Sequence, residues 1–564
     1  MSQDLQSLLE PVASLISAGR LAEAANQLQV LCKSHPHIHR LKYQLGTVFY
    51  HLDQFESAFD FYLQACLGDA LQADFHLALA LGLTAFRLKR FDQALISFFR
   101  ASVLDAENME AVVNMGACYF ESDDFERARR CFELASNRQS DPSQALLNLG
   151  VCLGRLNQHQ AALEVYDRLL CRGSVEAKVH AFRGVALHRL GDSDSAILSY
   201  QNALSIDASC APAYLNWGIT CMAQEEMTQA VSHLRRALSL SGNGAEARWN
   251  LSMALLSLGQ YEEGFELYNA RLELMQRKLF RTDPGTTAPL LVRGAALAGK
   301  TIYVFDEQGL GDCIQFARYL PMLKNAGASV VARISGSLIS LLKPSNAVDV
   351  WVGDHEPIPL HDAQIPLMSL PGFFNTTPET VPAAAGYLKP EAHRQEHWSQ
   401  RLVNDKTGGH SRMRIGLMWA GNPMNPNDAR RSISLVQLLS FLPEAESSIQ
   451  WVALTNAMSV DDEKRLAEDG RVVNLCREIN DFSDTAALIS LCDRIVTVDT
   501  SVAHLAGAMG VPTDLLISRA PDWRWGLTGE KTPWYGSVKL HRQIMKGDWD
   551  TILKSVFADI LSIL

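Results

Sequence analysis

The chain is 564 residues long, 47% hydrophobic and 20% charged, with a formal net charge of −11. That is the make-up of a soluble globular protein of three or so domains with ample core. The acidic balance, without a long basic run, disfavours a nucleic-acid partner, and the lack of any run of about 18 apolar residues argues against a membrane span. The start, Met1-Ser2-Gln3-Asp4-Leu5-Gln6, has neither the basic region nor the apolar stretch of a signal peptide. Eleven cysteines form no Cys-x-x-Cys pair, and most sit in helical patterns, as at Cys118, Cys131 and Cys152. They read as buried apolar residues of a cytoplasmic protein, with neither disulfides nor a zinc site.

Small residues recur with a fixed period in the first half. Gly82, Gly116, Gly150, Gly184 and Gly218 stand 34 apart, and Ser252 continues the series. Twelve residues after each come Ala94, Ala128, Ala162, Ala196, Ala230 and Gly264; four further on come Phe98, Phe132, Tyr166, Tyr200, Leu234 and Tyr268. Gly46, Ala58 and Tyr62 form an earlier copy offset by 36, which implies a short insertion near residue 70, and Ala24 and Leu28 mark a degenerate one. This is the tetratricopeptide signature. The small residues let helix A of each unit approach helix B, and the aromatic is expected to fill the gap to the next unit. Such a solenoid, assigned to 1–273, offers a concave face to a protein or peptide partner.

From Leu274 to Pro289 the chain is a polar connector punctuated by Pro and Gly, so a new domain should begin near residue 285. Gly294-Ala295-Ala296-Leu297-Ala298-Gly299-Lys300-Thr301 matches a phosphate-loop pattern, but the run Thr301-Ile302-Tyr303-Val304-Phe305 at its end reads as a strand. The mechanism needs a helix starting at the Lys-Thr pair, so that reading is rejected.

The strand at Thr301–Asp306 runs through Gly309-Leu310-Gly311-Asp312 into a helical pattern at Cys313, Phe316, Ala317, Leu320 and Leu323. This opens a doubly wound α/β domain, assigned to 285–395. Gly309 and Gly311 allow a ligand to approach the backbone closely, while Asp312 suits either a helix N-cap or a general base at the carboxyl edge of the sheet. A polar segment at 391–412 with Gly408-Gly409 reads as a hinge. A second α/β domain, 412–545, starts with a strand from Arg414 and a long loop holding Asn422 and the adjacent Arg430 and Arg431, which suit either phosphate recognition or a solvated turn.

Strands at Gln450–Leu454, Val472–Leu475 and Arg494–Val498 alternate with helices, arguing for a second parallel sheet. The last of them breaks at Asp499-Thr500-Ser501 and continues through His504 as a helix of small residues. Unpaired backbone N–H groups at that helix start form an anion site. Beyond a strand at Pro512–Ile517, Trp523, Trp525 and Trp534 crowd one stretch and suit either packing on the domain itself or a lid or stacking surface. An amphipathic helix at 546–564 ends the chain.

Two Rossmann-like halves across a hinge look like the GT-B glycosyltransferase architecture. Gly309-Leu310-Gly311-Asp312 resembles the N-terminal motif of glycosyltransferase family 9, the ADP-heptose:lipopolysaccharide heptosyltransferases. Asp499-Thr500-Ser501-Val502-Ala503-His504 resembles that family's Asp-Thr-Gly-x-x-His, and the Asp481–Ile489 run is similar to members of the group. The match covers about 300–545. The resemblance implies an inverting transfer with no obligatory metal and no cofactor beyond a nucleotide-sugar substrate. Asp312 would be the base, Asp499 would hold donor hydroxyls, and Thr500 and Ser501 would bind donor phosphate. His504, Asn422, Gly309, Gly311 and a cation from Arg430 or Arg431 would line the same donor site. Ser501 departs from the usual Gly and leaves the donor open. A repeat array joined to such a module resembles the tetratricopeptide-containing flagellin glycosyltransferases. That implies protein O-glycosylation on Ser or Thr, with flagellin as acceptor and a CMP-nonulosonic acid as donor. An ADP-heptose-dependent transferase and a non-catalytic scaffold are the alternatives.

Overall fold

The computed structural model describes residues 3–68, 74–275, 286–382, 385–403, 413–425, 428–443, 448–455 and 458–563. The insertion inferred near residue 70, most of the connector and the Gly408-Gly409 pair lie outside them. Two compact units divide at Thr220 and Cys221.

The first unit is a run of antiparallel helix pairs, such as Phe75–Arg87 with Phe91–Leu104 and Ala177–Arg189 with Ser193–Ile206. The sequence period has a direct steric cause. A Cβ placed on Gly46, Gly82, Gly116, Gly150 or Gly184 would fall 2.4–2.8 Å from the ring of Tyr62, Phe98, Phe132, Tyr166 or Tyr200 respectively. No side chain fits in such a contact. The aromatic therefore seats on the glycine of its own pair and also reaches toward the next, where Tyr166 stacks on Phe182 at 6.4 Å and Tyr200 meets the Thr220 hydroxyl at 3.4 Å.

The second unit begins with the last repeats, including the helices Ala245–Ser257 and Tyr261–Tyr268, and continues into two parallel sheets. The first sheet has β1 (Thr301–Phe305), β2 (Ser329–Arg333), β3 (Val350–Trp351) and β4 (Ala363–Pro366) in the order β3-β2-β1-β4. The second comprises β5 (Met413–Met418), β6 (Ile449–Ala453), β7 (Val472–Val473), β8 (Arg494–Val498), β9 (Thr513–Ile517) and β10 (Val538–Arg542), in the order β10-β9-β8-β5-β6-β7. β6 and β9 are buried at every residue, as expected where helices cover both faces of a parallel sheet. The C-terminal helix Asp550–Leu561 buries Ile552, Leu553, Val556, Phe557 and Ile560 in the core shared with β5 and β6.

Strand order fixes where a ligand can sit. In the first sheet the order reverses between β1 and β4, and in the second between β5 and β8. Open α/β sheets bind ligands in the crevice beyond the strand carboxyl ends at such a reversal. The loops that emerge there come after β1 (306–309), β5 (from 419) and β8 (499–500). The phosphate-loop-like segment lies at the opposite edge, just before β1, with the Thr301 N–H bonded to Asp362 Oδ2 at 2.7 Å.

The segment read as a hinge is, up to Val403, the helix Ala392–Val403. Arg394 pairs with Asp481 at 3.0 Å and with Asp484 at 2.7 Å, and the Trp398 indole N–H donates to Asp484 at 3.1 Å. The Asp481–Ile489 run thus clamps this helix, and Asp481 also caps the Phe482–Ser490 helix through the N–H groups of Ser483 and Asp484.

Candidate active site

The β1 corner and the β8 corner meet. The Leu310–Phe316 helix packs directly on the Ser501–Met509 helix. A Cβ on Gly311 would lie 2.8 Å from His504 Cδ2 and 3.4 Å from Ser501 Cα. Only a glycine lets the two helix starts come so close.

Asp312 occupies the third position of its helix, in the first turn, with Gly309 at the N-cap. Its Oδ2 accepts the Gly309 N–H at 3.0 Å, and its Oδ1 accepts from Arg524 Nη2. It is therefore not the N-cap that local spacing allowed, although it closes the same turn. The side chain is 20% exposed. Burial pushes its carboxyl above the usual range, and Arg524 opposes that rise.

Thr500 holds the N-cap position of the Ser501–Met509 helix but makes no side-chain capping bond. The Ala503 N–H bonds to the Thr500 carbonyl at 3.1 Å, and the N–H groups of Ser501 and Val502, which have no side-chain cap, face a ligand or water with the helix dipole behind them. Asp499, just ahead, has its carboxyl pushed up to about 6 by burial and then by the Asp522 carboxylate. The Trp525 side chain is 1% exposed and its indole Nε1 lacks a hydrogen-bond partner. That N–H faces the Asp499 carboxylate and draws its pKa down against the burial. His504 is buried, stacks on Trp525 at 5.2 Å and shares a 2.9 Å hydrogen bond between Nδ1 and the Tyr535 hydroxyl. Burial, then Arg524, Arg318 and Arg431, push its pKa well below the ordinary value, so the imidazole is neutral.

The two arginines after β5 part company. Arg431 is 22% exposed on its side chain, is held loosely by Asp428 at 3.4 Å, and acts electrostatically on Asp312, Asp499 and His504. Arg430 is exposed, as is Asn422, whose Oδ1 accepts the Met424 N–H at 3.0 Å within its own loop. The structure thus groups Gly309, Gly311, Asp312, Asp499, Thr500, Ser501, His504 and Arg431, and leaves Arg430 and Asn422 at the rim.

The tryptophans are interior: Trp523, Trp525 and Trp534 are 3%, 1% and 0% exposed. The Trp534 indole N–H donates to the Tyr261 hydroxyl at 3.0 Å, from a residue 273 positions away, and Trp523 meets Phe265 edge-on at 5.6 Å. Trp523 and Trp534 are sealed by the last repeat and form no lid; Trp525 alone borders the site.

Sequence reasoning missed Arg524, which stands inside the aromatic stretch. It is 6% exposed. Besides Asp312 it donates to Gln315 Oε1 and to Asp522 Oδ1, both at 2.7 Å, and stacks over the Trp523 ring at 4.6 Å. Burial works against its charge, yet Asp522 and Asp312 hold it firmly protonated. A lone arginine among tryptophans carries no local signal of a partner more than 200 residues away. Arg318, 2% exposed, was also missed; it donates to the Trp534 carbonyl at 2.7 Å and so ties the first sheet's helix layer to the loop before β10.

The tetratricopeptide repeat family model matches residues 14–74, 119–176, 153–211 and 215–274, and the glycosyltransferase family 9 (heptosyltransferase) model matches 444–533, which includes the β8 corner. The chain is thus similar to tetratricopeptide repeat proteins over much of its first half and to glycosyltransferase family 9 over 444–533. The curated protein FlbA of Caulobacter vibrioides is 26% identical over 345 residues, which is 54% of this chain. The chain spans about half of that relative's length, 52%. Among solved structures, a tetratricopeptide repeat protein from Parabacteroides merdae is similar over 45% of this chain and 100% of its own, at 17% identity and a TM-score of 0.40. The repeat protein YrrB is similar over 33% of this chain and 95% of its own, at 20% identity and a TM-score of 0.27. No described helix is long and apolar enough to cross a membrane.

Proposed function

We propose that the chain is an inverting glycosyltransferase of GT-B build that moves a sugar from a nucleotide-sugar donor to a Ser or Thr hydroxyl of a protein acceptor recruited by the repeat array. The observation that carries this reading is the meeting of two corners at the sheets' reversal points. One brings a carboxylate whose pKa is raised by burial, and the other brings an uncapped helix start with Arg431 beside it. Asp312 takes the proton of the acceptor hydroxyl, and that oxygen attacks the anomeric carbon from the face opposite the phosphate. The bond from the anomeric carbon to the phosphate oxygen breaks, and its electron pair leaves with the nucleotide. The N–H groups at Ser501 and the Arg431 guanidinium take up the charge on the leaving phosphate. Asp499, His504 and the Trp525 indole N–H supply polar contacts for sugar hydroxyls. No step draws on a metal or a cofactor.

For the donor, an uncapped helix start plus one inward-facing arginine suits a phosphate and a sugar carboxylate together, the chemistry of a CMP-nonulosonic acid. Flagellin is the acceptor in this reading, and the transfer takes place in the cytoplasm. The family 9 match favours a second reading in which ADP-heptose is the donor. Incubating the full chain and purified flagellin with each donor separately, and weighing the flagellin by mass spectrometry, distinguishes them. A mass gain with CMP-nonulosonate alone supports the first. A gain with ADP-heptose alone replaces it with the second. If no nucleotide sugar, these two included, raises the melting temperature, the scaffold reading replaces both.

A further inference from the structure

The last repeat reaches past the solenoid into the candidate active site. Tyr261, Phe265 and Tyr268 are 4%, 2% and 2% exposed and share one apolar core with Ile302 and Val304 of β1. On one side Tyr261 stacks on Trp534 at 5.6 Å, and Phe265 and Tyr268 meet Trp523 edge-on at 5.6 and 6.3 Å. Trp523 is the immediate neighbour of Arg524, which holds Asp312. On the other side Arg271, 1% exposed, donates to Glu307 Oε1 from Nε at 3.1 Å and also from Nη2. The same guanidinium is fixed by the Tyr268 carbonyl at 3.1 Å and by the Ser369 hydroxyl at 2.8 Å. Glu307 stands in the loop between β1 and the helix that carries Asp312, and its Oε2 is buried without a hydrogen-bond partner. Breaking a buried pair of this kind strands a charge, whereas neutralising both partners is often tolerated. Its use is therefore to hold position.

We propose that the terminal repeat is part of the catalytic centre, with Arg271 and Glu307 acting as positioning residues that fix the Asp312 loop while the Tyr261–Trp534 contact fixes the Arg524 loop. The proposal rests on the reading of Asp312 as the base. Neither Arg271 nor Glu307 touches substrate; they act through the backbone of 307–312.

The test uses the full chain and two variants. Glu307→Gln keeps shape and one acceptor oxygen, and the double variant Arg271→Met/Glu307→Gln leaves no charge stranded. Amide hydrogen exchange over 307–316 is read without ligand, beside initial rates of transfer to flagellin from CMP-nonulosonate and from ADP-heptose. The double variant should exchange at least about 10-fold faster over 307–316 and lose about 100-fold in kcat with the donor KM little changed, since displacing a reacting group by about 1 Å costs that much. Glu307→Gln leaves the Arg271 charge stranded, so it should melt lower than the double variant while losing kcat in the same direction. Unchanged exchange over 307–316 in the double variant overturns the proposal even if the parent is active. A lower melting temperature with kcat intact also overturns it, making the pair merely structural. A parent chain that transfers from neither donor removes the base assignment and the proposal with it, and the exchange data then separate that failure from a failure of the Arg271–Glu307 contact.

Discussion

Gly311 lies against the edge of His504 so closely that a Cβ there would sit 2.8 Å from Cδ2. His504 cannot yield easily, because it is stacked on Trp525 and bonded to Tyr535. Gly311→Ala should force the two helix starts apart. Transfer should fall about 100-fold, while the melting temperature drops only by the few degrees expected of about 1–3 kcal/mol of overpacking. Initial rates and thermal melts on the same sample check this; wild-type rates would mean that the corners need not touch.

Asp312→Asn keeps the bond to Gly309 and removes the base. Transfer should drop about 10²–10⁴-fold with nucleotide affinity by calorimetry unaltered. Near-normal turnover would strip Asp312 of its role.

Arg524 opposes the burial that raises the Asp312 pKa. Replacing it with Gln removes that opposition, so Asp312 stays protonated to higher pH. The acid limb of kcat against pH should move upward, and Arg524→Lys should restore part of it. A variant that merely loosened packing would lower kcat at all pH values without moving the limb.

Asp499 has a folded-state pKa of about 6, above the value of about 3.9 for an unfolded chain. The fold thus prefers the protonated form. That preference stabilises fully below about pH 4 and is lost as pH rises through about 6. Asp499→Asn should therefore melt higher than the parent at pH 8, by up to about 3 kcal/mol, with the advantage gone near pH 4. Melting curves across that range decide it; equal stability at pH 8 would contradict the raised pKa.

The arginines after β5 should also separate. Arg431→Ala is expected to weaken binding of CMP or ADP about 10-fold or more, the loss of one charge-assisted contact of about 1.5–3 kcal/mol. Arg430→Ala, exposed at the rim, should change it little. Isothermal titration with each nucleotide reads both.

Local chemistry made much of this visible in the sequence. The 34-residue glycine period reflects a ring seated on each glycine, and strand-corner-helix patterns at Gly309–Asp312 and Asp499–His504 are written in consecutive residues. What stayed hidden was long-range. β4, Ala363–Pro366, is four residues ending in proline, and β10, Val538–Arg542, carries Lys539 and His541 between its apolar residues, so neither gives the continuous apolar run that marked the other strands. Arg524 and Arg271 look like ordinary surface residues until the partners Asp312 and Glu307 arrive from distant parts of the chain. The polar look of 391–403 concealed a helix because its charges are spent on Asp481 and Asp484.

The division of the chain at Thr220 and Cys221 sets the place for any graft. A foreign array spliced on after residue 273 would discard the native Arg271 and Tyr261, strand the Glu307 carboxylate and uncover Trp534. One spliced on before Cys221 leaves them untouched. A change in the repeats ahead of that junction leaves the Arg271–Glu307 and Tyr261–Trp534 contacts in place, while one behind it breaks them.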